Sequence, residues 1–411
     1  MAGSVHTTDH LRDHAAPGRA RAPRSKAAST TPTGSTPARH DAPALLGRYA
    51  AQFTPALRRL LADTAARAAA GSDAILQPEL ATFYGQMEYH LGWREADFTP
   101  VEAHPGKLLR PALVLLGCEL AVGTSGGDRA ARADAVTRAL PAAAAVELVH
   151  NFSLIHDDIE DRDEVRRHRP TVWRLWGQPQ AINTGDGMFA LARLALFGLR
   201  DTATDPALVC DLAALLDRTS LRLCEGQHLD MSYEGRHDVT VAMYLAMIER
   251  KTAALMACAL EMGARLGGAA EPLAARLGAC GLALGLGFQL RDDLLGIWAA
   301  SRVLGKTDAG DLRRKKMSLP VIHALEHAGP DDRADLLAIY SAAGPATDDQ
   351  IARALAILDH TGARARIRDA LRDQCARARA ALDEAADEAP GAREPRDLLA
   401  ALVDFIAAEA E

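Results

Sequence analysis

Two strongly apolar stretches of this sequence each run straight into paired aspartates. One reads Leu148-Val149-His150-Asn151-Phe152-Ser153-Leu154-Ile155-His156-Asp157-Asp158-Ile159-Glu160-Asp161. The other reads Gly285-Leu286-Gly287-Phe288-Gln289-Leu290-Arg291-Asp292-Asp293-Leu294-Leu295-Gly296. On a helix, Asp157 and Asp161 fall on one face about one turn apart, where their charges repel. Apolar residues lead directly into them, so the natural counter-charge is a hard, oxygen-seeking cation. Mg²⁺ suits, because it accepts one or two carboxylates and takes its remaining ligands from water and phosphate oxygens. The first cluster alone would also suit a solvated helix end, with Asp163 and Glu164 beyond it; its repetition at Asp292-Asp293 argues against that reading. Two such clusters facing across a cavity would hold a diphosphate through bridging metals and leave a hydrocarbon tail in the apolar interior.

The rest of the chain predicts an all-α fold. Aromatics make up 4% of the 411 residues, β-branched runs are scarce, and Ala, Leu, Arg, Asp and Glu dominate. Helical periodicity runs over Thr54–Ala70, Pro78–His90, Pro111–Val122, Arg129–Ile159, Thr184–Leu199, Ala207–Ser232, Thr240–Leu266 and Ala270–Ala299. It resumes over Leu319–Leu325, Ala334–Ala342, Asp348–His360, Ala363–Ala386 and Glu394–Ala408. The breakers between these segments are short, which predicts one helical domain over 45–411. Residues 1–44 are rich in Pro, Ala, Ser, Thr and Arg and carry too few large apolar groups to offset their ordering entropy. They read as a disordered tail, a solubilising segment or one that docks to a protein partner or shell. A transit peptide fits poorly, since beyond Met1 only Val5 and Leu11 could form its apolar face.

The formal charge is −7, and the tail holds six Arg and Lys against three Asp, so the body is more acidic still. That balance argues against nucleic-acid binding. An anionic substrate would need local cations. Six scattered cysteines without metal-ligand spacing (Cys118, Cys210, Cys224, Cys258, Cys280 and Cys375) suggest a reducing, cytoplasmic setting. No signal peptide is read, and the apolar stretch Leu277–Phe288 is shorter than the roughly 20 residues that span a bilayer. Basic residues flank both acid clusters: Lys107 and Arg110 in His104-Pro105-Gly106-Lys107-Leu108-Leu109-Arg110-Pro111, Arg166-Arg167 after the first, and Lys306 with Lys315-Lys316 after the second. Such a set suits a second diphosphate held without metal.

These residues resemble the trans-isoprenyl diphosphate synthase (polyprenyl synthetase) family, relatives of farnesyl and geranylgeranyl diphosphate synthases. The family's DDxxD reads Asp157-Asp158-Ile159-Glu160-Asp161, followed by Arg166-Arg167 and Pro170. Its Gly-Gln-x-x-Asp is Gly226-Gln227-His228-Leu229-Asp230, its Lys-Thr pair Lys251-Thr252, and its Phe-Gln-x-x-Asp-Asp runs from Phe288 to Asp293. The resemblance implies a homodimeric prenyltransferase that joins isopentenyl diphosphate head-to-tail (1'-4, trans) to an ionised allylic diphosphate. It further implies Mg²⁺, three ions per site, held by Asp157, Asp161 and Asp292, with Asp158 beside them. Arg166, Lys251, Thr252, Gln289, Lys306 and Lys316 would then bind the allylic diphosphate, and Lys107, Arg110, His150 and Arg167 the isopentenyl diphosphate.

The sequence departs from the family pattern in three places. The loop before Arg110 is altered, the second motif ends in Gly296 where an acid is usual, and Trp173 replaces the customary His. Phe152, about 7.5 Å along the axis before Asp157, and Ser153 are candidates for the floor under the growing chain. An aromatic there resembles synthases of the C20 product, geranylgeranyl diphosphate, ahead of the C15 farnesyl diphosphate. A class I terpene cyclase would not need the basic set of Lys107, Arg110 and Arg167. A non-catalytic regulatory subunit would be expected to lose metal carboxylates that are present here.

Overall fold

The structure, a computed structural model, describes residues 42–101, 106, 108–299, 309–386 and 390–408. Lys107, Lys306 and residues 1–41 of the expected tail lie outside the described residues. Helices α1 (Ala42–Ala70), α2 (Gln77–His90), α3 (Leu109–Thr124) and α4 (Arg129–Glu160) come first. A small hairpin, β1 (Val165–Arg166) and β2 (Arg169–Pro170), leads to α5 (Val172–Trp176) and α6 (Gln178–Phe197). Next are α7 (Pro206–Tyr233), α8 (Val241–Ile248), a π-turn over Glu249–Ala253, α9 (Ala254–Leu266) and α10 (Glu271–Trp298). The chain closes with α11 (Gly310–Arg313), α12 (Leu319–His327), α13 (Pro330–Ser341), α14 (Asp348–His360), α15 (Ala363–Ala386) and α16 (Arg393–Ala407).

The all-α expectation holds. The two acid-bearing helices are central: α4 packs along α6 and α3, and α10 packs along α9 and α15. Close approach depends on small residues. A Cβ at Gly263 would fall 2.0 Å from the Val114 carbonyl oxygen, so α9 meets α3 almost backbone to backbone. The core beneath them is aliphatic, with Leu113, Leu115, Leu148, Ile155, Met256 and Leu260 fully buried.

Two sequence readings need correction. The single helix expected over Thr240–Leu266 is interrupted by the π-turn, an inserted widening of a kind that often marks a functional position. The length argument from Leu277–Phe288 also fails, since α10 is 28 residues long and apolar enough to cross a membrane by length and composition. More than half of its apolar window is nevertheless buried inside the bundle. Four of the six cysteines behave as small hydrophobes: Cys118, Cys258, Cys280 and Cys375 are buried, and burial pushes the first three thiols up to about 12, whereas Cys210 and Cys224 are exposed.

Candidate active site

The last turn of α4 delivers the first acid cluster. Asp157 is half-buried, and burial together with the neighbouring Asp161 and Glu160 pushes its carboxyl up to about 7. Asp161 is shifted upward too, again mainly by desolvation. Asp158 points elsewhere: it is 1% exposed and accepts a 2.6 Å hydrogen bond from Arg166 Nε. Its Oδ2 is buried without a hydrogen-bond partner, and burial pushes its carboxyl up to about 6.

Across from these acids stands the π-turn. Lys251 Nζ donates to Asp230 of α7, and its charge is shared with Asp157 and Asp161. Gly226 makes this approach possible, because a Cβ there would sit 2.3 Å from the Lys251 amide nitrogen. The next residue, Gln227, donates from Nε2 to Glu160 Oε2 at 2.6 Å. The Gly-Gln-x-x-Asp stretch thus ties α7 to both the π-turn and the end of α4.

The π-turn also reaches the second cluster. Thr252 Oγ1 donates to Gln289 Oε1 at 3.1 Å, and Gln289 Nε2 donates to Asp293 Oδ1 at 3.2 Å. Asp293 is 1% exposed and accepts a 2.6 Å bond from Tyr244 and a 3.4 Å bond from the Leu319 amide, with Lys316 close enough to favour its ionised form. Burial outweighs these partners and leaves its carboxyl near 6. Asp292, by contrast, is exposed and lies within electrostatic reach of Arg110.

A basic group lies beside the hairpin. Arg110 Nη1 donates to His150 Nε2 at 3.2 Å, which requires a neutral imidazole. The surroundings enforce that state: burial and the nearby Arg110 and Arg167 charges hold His150 well below its usual range. Arg167 and His168 both have positive φ, 52° and 63°, at the tip of the two-residue turn joining β1 to β2. Turns of this kind favour Asn and Gly, so the backbone strain at Arg167 is held in place by its surroundings. A Cβ on Gly106 would meet Arg167 Nη2 at 3.0 Å, which places the loop before Arg110 against this guanidinium.

Profile comparison matches polyprenyl synthetase over residues 98–358. The chain belongs to the polyprenyl synthetase family. A geranylgeranyl diphosphate synthase of Mycobacterium tuberculosis is 40% identical over 319 residues, 78% of this chain and 82% of the relative. A (2E,6E)-farnesyl diphosphate synthase of the same organism is 42% identical over 280 residues, 68% of this chain and 74% of the relative. The polyprenyl synthetase of Streptomyces coelicolor superimposes with a TM-score of 0.74 at 37% identity, covering 89% of this chain and 99% of that one. The protein is a prenyltransferase, and its all-helical bundle is the fold of its synthetase relatives.

For a polyprenyl synthetase, the grouping of residues here adds to the motifs. Asp157, Asp161, Lys251, Thr252 and Gln289 are joined by one chain of contacts, and Arg110, His150 and Arg167 form a second group. Two residues beside the second group, Glu147 and His90, were not singled out from sequence. Glu147 is 2% exposed near Arg110 and Arg167 and accepts a 2.8 Å bond from Asn151 Nδ2. His90 sits beside Arg166, Arg167 and Arg169, where burial and those charges lower it to about 3. With Tyr89, Asp158 and the three arginines it lines a cavity of about 230 Å³. No period or motif distinguishes such residues from ordinary buried polar groups.

The metal expectation can be tested on these atoms. Among the described residues, no group of three or more His, Cys, Asp and Glu side chains converges on one point. Mg²⁺ does not need one, since it keeps waters and takes substrate phosphate oxygens. What fits is the charge imbalance: Asp157 and Asp161 are pushed toward protonation, with Lys251 as the nearest cation. A divalent cation would supply the charge these carboxylates lack.

Phe152, five residues before Asp157 on α4, packs against α6. Its ring lies 4.7 Å from Phe189 of α6 and 5.7 Å from His156. Ser153, four residues before Asp157, shares the aspartate's face and donates to the His150 carbonyl at 2.9 Å.

Proposed function

We propose that the protein elongates an allylic diphosphate with isopentenyl diphosphate to give geranylgeranyl diphosphate. The observation that supports this reading is the presence of two unlike side-chain groups, each suited to a diphosphate: desolvated carboxylates facing Lys251, and an arginine-rich group around a neutral His150. A cyclisation would need only the first. On this reading Mg²⁺, three ions per site, would be held by Asp157, Asp161 and Asp292 and would supply positive charge to the departing pyrophosphate. Lys251, Gln289 and Arg166 donate to the same leaving group, with Thr252 fixing Gln289 and with Lys306 and Lys316 completing the set. Arg110 and Arg167, with Lys107, grip the isopentenyl diphosphate, and His150 orients Arg110 by accepting its hydrogen bond. The allylic carbon–oxygen bond breaks, the double bond of isopentenyl diphosphate attacks the resulting cation, and a proton is lost. The aliphatic interior keeps water from that cation.

Residues 45–411 form the synthase domain in this account, acting in the cytoplasm, with the preceding tail available for a partner. Homodimer formation is supported by large apolar side chains left exposed on α6 and α7: Ile182, Leu194 and Phe197 on the first, Leu221 on the second. The product follows from Phe152, whose ring narrows the α4 wall one position round from small Ser153. Incubation with Mg²⁺, isopentenyl diphosphate and C5 to C15 starters, followed by chromatography, tests this. A dominant C20 product is expected, and a dominant product of any other length would contradict the assignment.

A further inference from the structure

The basic group around His150 contains an acid for which the proposed reaction has no use. Glu147 is 2% exposed in the interior of α4, one turn before His150 and Asn151, so the three side chains share one face of the helix. Asn151 Nδ2 donates at 2.8 Å to Glu147 Oε1 and also to the Glu147 carbonyl, which ties the carboxylate down along the helix. His150, on the same face, accepts from Arg110 Nη1 at 3.2 Å. Arg167 comes in from the β1–β2 turn, and it and Arg110 both act on Glu147 electrostatically.

A group that served only to attract an anion would be better without this acid, because a buried carboxylate is costly and repels a diphosphate. Desolvation pushes Glu147 upward, and the Asn151 bond, then Arg110 and Arg167, pull it back toward the ionised form. The arginines have the opposite difficulty. Burial lowers both, and in each case the largest charge effect opposing that shift comes from Glu147. Each guanidinium is also incompletely fixed by its own chain. Arg110 Nε is buried without a hydrogen-bond partner, and Arg167 sits at φ 52°, a conformation that has to be held from outside.

We propose that Glu147 is a positioning residue for isopentenyl diphosphate: its carboxylate, braced by Asn151, holds Arg110 and Arg167 side by side before the diphosphate arrives. In the empty site the carboxylate is the counter-charge that keeps two buried guanidiniums from parting. An arriving diphosphate then meets donors already gathered for it, so less of its binding energy goes into assembling them. Glu147 itself touches neither substrate nor the reacting atoms. This rests on the reading of the basic group as the isopentenyl diphosphate site, and the test separates the two.

The test is calorimetric titration of the full chain with isopentenyl diphosphate in EDTA, alongside steady-state kinetics and thermal melting. Wild type should bind without metal; failure there would remove the reading of the basic group itself. Glu147→Gln keeps the side chain's size and an acceptor for Asn151 and removes only the charge. By charge alone, that change tightens the hold on an anion, whereas loss of positioning loosens it. Glu147→Gln should weaken metal-free binding, and raise KM for isopentenyl diphosphate, by about tenfold. KM for the allylic starter and kcat should stay within about twofold of wild type. Glu147→Asp, which restores the charge, should recover binding to within about threefold of wild type. Binding by Glu147→Gln as tight as wild type or tighter, an equal rise in the allylic KM, or Glu147→Asp no better than Glu147→Gln would overturn the proposal.

Discussion

Lys251 donates a hydrogen bond to Asp230 from inside the π-turn and shares its charge with Asp157 and Asp161. The lysine is thus held between the acid that positions it and the acids that need a cation. Asp230→Asn should keep the fold and lower kcat by about tenfold, since a charged partner that orients a donor is weakened and not removed. Lys251→Ala should cost about 10²–10³-fold in kcat, as loss of a preorganised donor to a leaving group does. Steady-state kinetics on both variants check the order; equal losses would contradict it.

Gly226→Ala tests the close approach beneath that lysine. The new methyl would meet the Lys251 amide at 2.3 Å, so α7 and the π-turn must separate. A loss of about 2–3 kcal/mol in urea unfolding is expected, with activity falling in parallel. Unchanged stability would mean the π-turn is not seated on α7 as described.

The acid cluster predicts a pH dependence of stability with a definite sign. Asp157 is raised from about 3.8 to about 7 on folding, so between those values the metal-free folded protein holds more protons than the unfolded chain. Its stability therefore falls as pH rises through that window, and the full cost is present above pH 7. Metal-free Asp157→Asn should be more stable than wild type at pH 8 by about 1–3 kcal/mol, the difference vanishing near pH 4. Equal denaturation midpoints at pH 8 would contradict the assignment.

Phe152→Ala removes a ring packed at 4.7 Å against Phe189. The α4 wall opens, and the product distribution should lengthen by at least one five-carbon unit while stability drops by about 3 kcal/mol. Product chromatography decides; an unchanged distribution would separate Phe152 from chain-length control.

Much of this architecture was legible in the sequence because helix and acid patterning are local. The spans of α4, α10, α14 and α15 follow their apolar periods closely, Pro141 inside α4 notwithstanding. What escaped was set by tertiary contact. The π-turn inserts one residue's worth of winding that no hydrophobic period reports, yet it aims Lys251. The β1–β2 turn uses Arg167 and His168 at positive φ, where residue preference points elsewhere. Asp158 reads as one more cluster acid, and only its 2.6 Å bond to Arg166 shows that it braces the hairpin. Asp311, fifteen residues beyond Gly296, carries no local sign that its carboxylate packs against that glycine, where a Cβ would fall 2.2 Å from its Oδ2.

The central claim is chain elongation driven by the two acid clusters. Purified protein with Mg²⁺, isopentenyl diphosphate and an allylic diphosphate should release pyrophosphate and a prenyl diphosphate longer by five carbons per pyrophosphate, and Asp157→Ala should reduce both by at least about 10³-fold. No elongation of any C5 to C15 starter, or pyrophosphate release that survives Asp157→Ala, would contradict it.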